Sequence, residues 1–167
     1  MPLSLVPVDA PADIHAVVDL ADEIWREHYT PLIGKEQVAY MLERFQSFEA
    51  IAAQVADGCE YVLARTDGRD AGYTAIRPES DGTVFLSKLY VLKELRGQGI
   101  GRAMYDHILS RCRACRVETL WLTVNKNNVD AIAAYRALGF VVSAAIVTDI
   151  GNGFVMDDYR MELRVAR

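Results

Sequence analysis

Arg96-Gly97-Gln98-Gly99-Ile100-Gly101-Arg102 stands between two apolar stretches of different rhythm. Before it, Thr83 to Leu92 carries apolar residues on both alternating faces, which predicts a central strand covered on both sides. After it, Gly99 to Cys112 places Ile100, Met104 and Ile108 at i, i+4 and i+8, the spacing of a helix. A glycine-rich turn that opens a helix offers free backbone N–H groups and a positive dipole end, and glycine lets a phosphate come close. Arg96 and Arg102 add formal positive charge. A Walker loop is excluded, because no Lys-Ser or Lys-Thr follows the glycines. A dinucleotide fingerprint fits poorly. The spacing here is G-x-G-x-G, it comes late in the chain, and the next strand ends at Asn125 rather than at an acid.

Downstream, Glu118–Val124 reads as a strand and Asn128–Leu138 as a helix with an Asn cap and Gly139 just past its end. Phe140–Thr148 and Phe154–Val165 read as two last strands around Gly151-Asn152-Gly153. Upstream, Glu60–Arg65 and Ala71–Arg77 are short strands separated by Asp67-Gly68, a hairpin signal. Residues 1–58 read as helical throughout. Pro11 to His28 carries one apolar stripe, Thr30-Pro31 and Gly34 break it, Lys35 to Phe45 restarts it, and Ser47 caps a further helix ending near Asp57-Gly58. Hairpins and strand–helix–strand units both occur, so one α/β domain of 167 residues with mixed strand pairing is expected.

Charge is unevenly spread. The chain has a net charge of −5, which argues against a nucleic-acid binder. Residues 1–60 hold eleven acids and three bases, whereas Lys88 to Arg136 holds nine bases and four acids. No uninterrupted apolar run reaches the roughly 18–20 residues of a membrane span. No secretory signal is visible at Met1 to Asp9, so a cytoplasmic location is expected. Cys112 and Cys115 form a C-x-x-C at the end of a predicted helix, but no second Cys/His pair completes a metal set. These and Cys59 are read as reduced thiols, and no metal is expected.

The two central blocks resemble the GNAT superfamily of acyl-CoA-dependent N-acyltransferases. That family's first pattern is a strand, then Gln/Arg-x-x-Gly-x-Gly/Ala, then a helix, and Arg96, Gly99 and Gly101 fit it. Its second is a strand, a polar loop with Asn, and a helix carrying Tyr before Gly-Phe. Leu120 to Val124, Asn125, Asn128, Ala131, Tyr135 and Gly139-Phe140 follow that order. The resemblance implies a GNAT-like single domain over 1–167. Its sheet would be mixed, mostly antiparallel, splayed at the acyl-CoA site and flanked by helices. Residues 1–58 would be an acceptor-side segment and 83–140 the acyl-CoA core.

It also implies roles. Backbone groups of Leu89, Tyr90 and Val91 would pair with the pantetheine arm of acetyl-CoA, the cosubstrate. Amides of Gly97, Gln98, Gly99, Ile100, Gly101 and Arg102 would hold its pyrophosphate. Asn128 would bond the pantetheine region, and Tyr135 would sit near the thioester sulfur. Lys126 and Arg136 either meet outer phosphates or stay free on the surface. A homodimer through Phe154 to Val165 is implied by analogy alone.

Acyl transfer to an amine requires the amine to lose a proton, the carbonyl to be polarised and the leaving thiolate to be neutralised. A phenol with pKa near 10 hands a proton to a thiolate without being ionised at neutral pH, so Tyr135 is the expected general acid. A backbone N–H on the central strand, such as that of Val91, would polarise the carbonyl. The base is not legible. Where some family members carry a Glu, this chain has Thr123, Ser87, Lys88 and Tyr90. Direct attack in a ternary complex is favoured, since neither Cys112 nor Cys115 lies near the expected sulfur.

An acidic lining attracts a cationic amine. The resemblance implies that the N-terminal helices and the final hairpin frame the acceptor, and there Glu23, Glu27 and Glu36 in front and Asp149, Asp157 and Asp158 behind favour a small cationic primary amine. The tail resembles that of bacterial polyamine-type acetyltransferases, which implies a polyamine-like acceptor. A protein or peptide N-terminus is the alternative, and a non-catalytic acyl-CoA sensor a third reading. Trp25, Glu27, His28 and Tyr29 are candidate substrate contacts, though each also reads as an ordinary packing or surface residue.

Overall fold

The computed structural model describes residues 2–165. Its elements run β1 (Leu3–Pro7), α1 (Pro11–Ile33), α2 (Lys35–Gln46), α3 (Phe48–Ala56), β2 (Glu60–Thr66), β3 (Arg69–Pro78), β4 (Val84–Val91), α4 (Ile100–Ala114), β5 (Thr119–Asn125), α5 (Val129–Ala137), β6 (Val141–Gly151) and β7 (Phe154–Arg164). A short 3-10 turn, Lys93–Leu95, follows β4. The strands order as β1-β2-β3-β4-β5-β7-β6 in one sheet. β4 and β5 pair in parallel, while β1–β2, β2–β3, β5–β7 and β6–β7 are antiparallel. The expected mixed α/β sheet flanked by helices is present. Among the described residues the β4–β5 ladder consists of Val84 opposite Leu120 and Phe85 opposite Trp121. The chain forms two compact units, residues through Arg77 with Lys88–Ile108, and Pro78–Ser87 with residues from Leu109 on.

In the first unit, α1 buries Ile14, Val17, Leu20, Ala21, Ile24 and Trp25 along one stripe. Pro31 lies inside the helix and does not end it, contrary to the expected break. It falls in the last turn, where its missing N–H costs one intrahelical bond and the chain leaves the helix at Gly34 anyway. Gly34 has φ 86°, a conformation open to glycine, and its N–H closes the helix on the Thr30 carbonyl. Ser47 caps α3 through the Ala50 N–H, as expected. The all-helical reading of 1–58 is corrected at its start. Leu3–Pro7 is a strand paired antiparallel with β2. Five residues are too short for a period, and long-range pairing alone made them a strand. Asp67 and Gly68, both at positive φ, turn β2 into β3.

A polar chain runs through this unit's interior. The Trp25 indole N–H donates to the Tyr73 hydroxyl, which donates to Gln46 Oε1 at 2.7 Å. Gln46 Nε2 donates to the Tyr61 hydroxyl and the Phe45 carbonyl, and Tyr61 donates to Gln54 Oε1. Gln46 is 2% exposed, so these bonds offset what would otherwise be a costly buried amide. Burial pushes the Tyr61 phenol up to about 12 and that of Tyr73 well above 10, so both stay neutral donors.

In the second unit, β5 buries Leu120, Leu122 and Val124 and turns Trp121, Thr123 and Asn125 to the other face. Trp121 stacks on Phe85 with centroids 4.3 Å apart and carries the Arg160 guanidinium 4.1 Å over its ring. Its indole N–H donates to Thr83 Oγ1. Gly139 ends α5 at φ 104°, with Leu163 Cδ1 pressed where a β-carbon would stand. No described helix is long and apolar enough to cross a membrane.

Candidate active site

The turn after β4 is built for close approach. Gly97 and Gly99 have φ of 79° and 84°, a region that costs other residues about 1–2 kcal/mol. Ala103 N–H bonds the Gly99 carbonyl, which starts α4, so the amides of Ile100, Gly101 and Arg102 precede the first intrahelical bond. α4 thus begins at Ile100, one residue later than its expected start. A β-carbon on Gly101 would meet Val91 Cγ2 at 3.7 Å, an ordinary contact. The turn is anchored from beneath: Leu89, Val91 and Leu95 pack against Ala64, Ala71, Ile100 and Met104. Behind them Gly72 is obligatory, because a β-carbon there would collide with the Tyr90 carbonyl oxygen.

The charged side chains of this region are partly engaged. Arg96 Nε donates to the Val91 carbonyl at 3.2 Å and its guanidinium lies 3.8 Å from Glu27. Lys93 approaches the same carboxylate at 3.6 Å. Glu27, expected among the acceptor contacts, therefore sits against the cations of the turn. Arg102 pairs with Asp106 one helical turn on. Gln98 is exposed. Lys88, on β4, has its ammonium pushed down to about 8 by burial.

Trp25, His28 and Tyr29 come together with Tyr90. The Tyr29 and Tyr90 hydroxyls are 2.8 Å apart, and Trp25 meets both rings edge-on at 5.7 and 5.8 Å. Tyr73 tilts against Tyr90 at 5.5 Å, and His28 meets Tyr29 at 4.8 Å. Helix α1, β3 and the end of β4 thereby share one aromatic wall.

In the second unit, Asn128 stands at the N-cap of α5, but its side chain does not cap the helix. It is 6% exposed, and among the described residues its amide has no hydrogen-bond partner. Tyr135 is half-buried on α5, edge-on to Phe140 at 5.4 Å. Lys126 is drawn to Asp157 at 2.8 Å, so its expected freedom for outer phosphates is reduced. Asp149 accepts the Gly151 N–H in the β6–β7 turn.

Asp158 of β7 has an environment that its neighbours in the chain do not betray. It is 6% exposed and lies directly opposite Asn125 at the end of β5. Desolvation, and secondarily the charge of Asp157, raise its carboxyl from 3.8 to about 6, against the pull of Lys126. Sequence placed it only within an acidic tail, and no local signal separates it from exposed Asp157 beside it.

The acetyltransferase (GNAT) family matches residues 16–140. An uncharacterised N-acetyltransferase of Mycobacterium tuberculosis is 30% identical over 131 residues, covering 75% of this chain and 84% of that protein. An L-2,4-diaminobutyric acid acetyltransferase of Nocardia farcinica is 35% identical over 79 residues, 46% of this chain and 41% of that one. Among solved structures, a PaiA N-acetyltransferase of Thermoplasma acidophilum in complex with coenzyme A superposes with TM-score 0.83 at 17% identity, covering 98% of this chain and 99% of that one. At that identity the likeness is one of fold.

Proposed function

The chain belongs to the GNAT family and is an acetyl-CoA-dependent N-acetyltransferase, and on that premise we propose that its acceptor is a small cationic primary amine, attacked directly in a ternary complex. The observation that carries this reading is the hydrogen bond between Tyr29 and Tyr90. Tyr90 belongs to the strand segment proposed to pair with the pantetheine arm, while its ring completes the wall formed by Trp25 and Tyr29. That wall offers aromatic faces to a carbon chain and phenolic oxygens to an ammonium group. The acidic balance of residues 1–60 favours approach of a cation. The acceptor named for the Nocardia relative, a diamino acid, is of the same class.

In this reading the chain's own residues divide the work. Backbone groups of Leu89 to Val91 hold the pantetheine arm, and one of their N–H groups polarises the thioester carbonyl. Amides of Gly97 to Arg102 hold the pyrophosphate at the start of α4. The unpartnered amide of Asn128 bonds the pantetheine region. Tyr135 delivers a proton to the leaving thiolate.

The test is free CoA release from acetyl-CoA with putrescine, spermidine, 2,4-diaminobutyrate, neutral and anionic amines, and an Ala-initial peptide. Turnover confined to the small cationic amines is expected. Turnover with only neutral or anionic amines removes the proposal. Preference for the peptide transfers it to N-terminal acetylation, and binding of acetyl-CoA without turnover favours a sensor.

A further inference from the structure

We propose that Asp158 is the proton acceptor of the acetyl transfer, its carboxylate taking a proton from the substrate ammonium at the C-terminal end of β5. The proposal rests on the transfer reading in which Tyr135 serves the thiolate. Three observations converge on this residue. Register places Asp158 opposite Asn125, the last residue of β5, from which the chain passes to Asn128 and α5. Asp158 is more than nine-tenths buried, yet among the described residues its carboxylate has no hydrogen-bond or ion-pair partner. No fully enclosed side-chain oxygen is left unsatisfied among those residues, so the little accessible area it keeps includes the carboxyl group. A buried, unpaired carboxylate is costly to maintain, and a substrate cation supplies the missing partner.

The surroundings leave this carboxylate free to act. Asp157, on the opposite side of the strand, is held by Lys126 from the β5–α5 loop. Arg160, two residues on, is occupied over the Trp121 ring and with Glu162. The cross-strand neighbours, Asn125 on β5 and Ile146 on β6, carry no charge. Asn125 uses its side-chain oxygen on the Asn127 N–H. Burial and Asp157 make Asp158 a better base than an exposed aspartate.

The step balances without another reactant. The Asp158 carboxylate removes one proton from R–NH3+ and frees the nitrogen lone pair. That pair forms the N–C bond to the thioester carbonyl carbon, and the C–S bond breaks with its electrons on sulfur. The second nitrogen proton passes through the Tyr135 hydroxyl to the thiolate, and Asp158 returns its proton to water. The products are an amide, the CoA thiol and one proton.

Asp158→Asn, nearly the same shape, tests this with acetyl-CoA and the best amine of the panel above. A fall in kcat of roughly 100-fold or more is expected, the range of general base catalysis, whether or not KM for the amine also rises with loss of the ion pair. The acidic limb of the wild-type kcat/KM profile near pH 6 should disappear. Asp158→Ala should regain rate with added formate. Unchanged acetyl-CoA affinity shows that both variants are folded. A kcat within about threefold of wild type, a persisting acidic limb, or a rise in KM alone overturns the proposal, the last marking Asp158 as a charge anchor. If the wild-type protein releases no CoA with any amine, the transfer reading fails first and takes this one with it.

Discussion

The hydroxyls of Tyr29 on α1 and Tyr90 on β4 lie 2.8 Å apart, within a cluster that includes Trp25 and Tyr73. Either oxygen can donate, so the bond survives rotation of either hydroxyl hydrogen. Tyr29→Phe and Tyr90→Phe should each lower unfolding free energy by about 1 kcal/mol, and the double variant by less than their sum. Urea denaturation of the four proteins measures that coupling. Additive losses would show that the two hydroxyls are independent.

Glycine positions in the turn after β4 should respond differently to alanine. Gly97→Ala and Gly99→Ala force a β-carbon into left-handed backbone and should each destabilise by about 1–2 kcal/mol while raising KM for acetyl-CoA. Gly101→Ala meets only an ordinary contact with Val91 and should change both by little. Equal effects at all three positions, read by thermal melting and initial rates, would contradict the local geometry.

Tyr135→Phe keeps the ring packed against Phe140 and removes only the hydroxyl. Its kcat should fall by roughly 100-fold with acetyl-CoA affinity retained. A variant with full turnover and unchanged pH dependence would return Tyr135 to a packing role.

Asp158 should cost stability at neutral pH. Its folded pKa of about 6 lies above the ordinary 3.8, so the folded protein favours the protonated form. The stabilisation is complete below about pH 4 and is lost as pH rises through 6. Asp158→Asn should therefore be more stable than wild type above pH 6, by up to about 3 kcal/mol, with the gap closing toward pH 4. Melting curves across roughly pH 4–8 check the sign. A gap that widens on acidification would mean that Asp158 is stabilised as the anion.

Features set by neighbouring residues are legible in the chain itself. The apolar stripe of α1, the Ser47 cap, the Asp67-Gly68 turn and the glycines after β4 each depend on backbone conformation within a few residues. The same locality made the GNAT-like motif blocks readable, since a strand, a glycine turn and a helix start are contiguous in the chain. Pairing and burial depend on distant residues and were decided by tertiary structure. Leu3–Pro7 became a strand because β2 offered it an edge, and Gly72 is required because the Tyr90 carbonyl lies against it. Asp157 and Asp158 are chemically identical and adjacent. Strand alternation and cross-strand packing expose one, bury the other, and so separate an ion-pair partner from a candidate base.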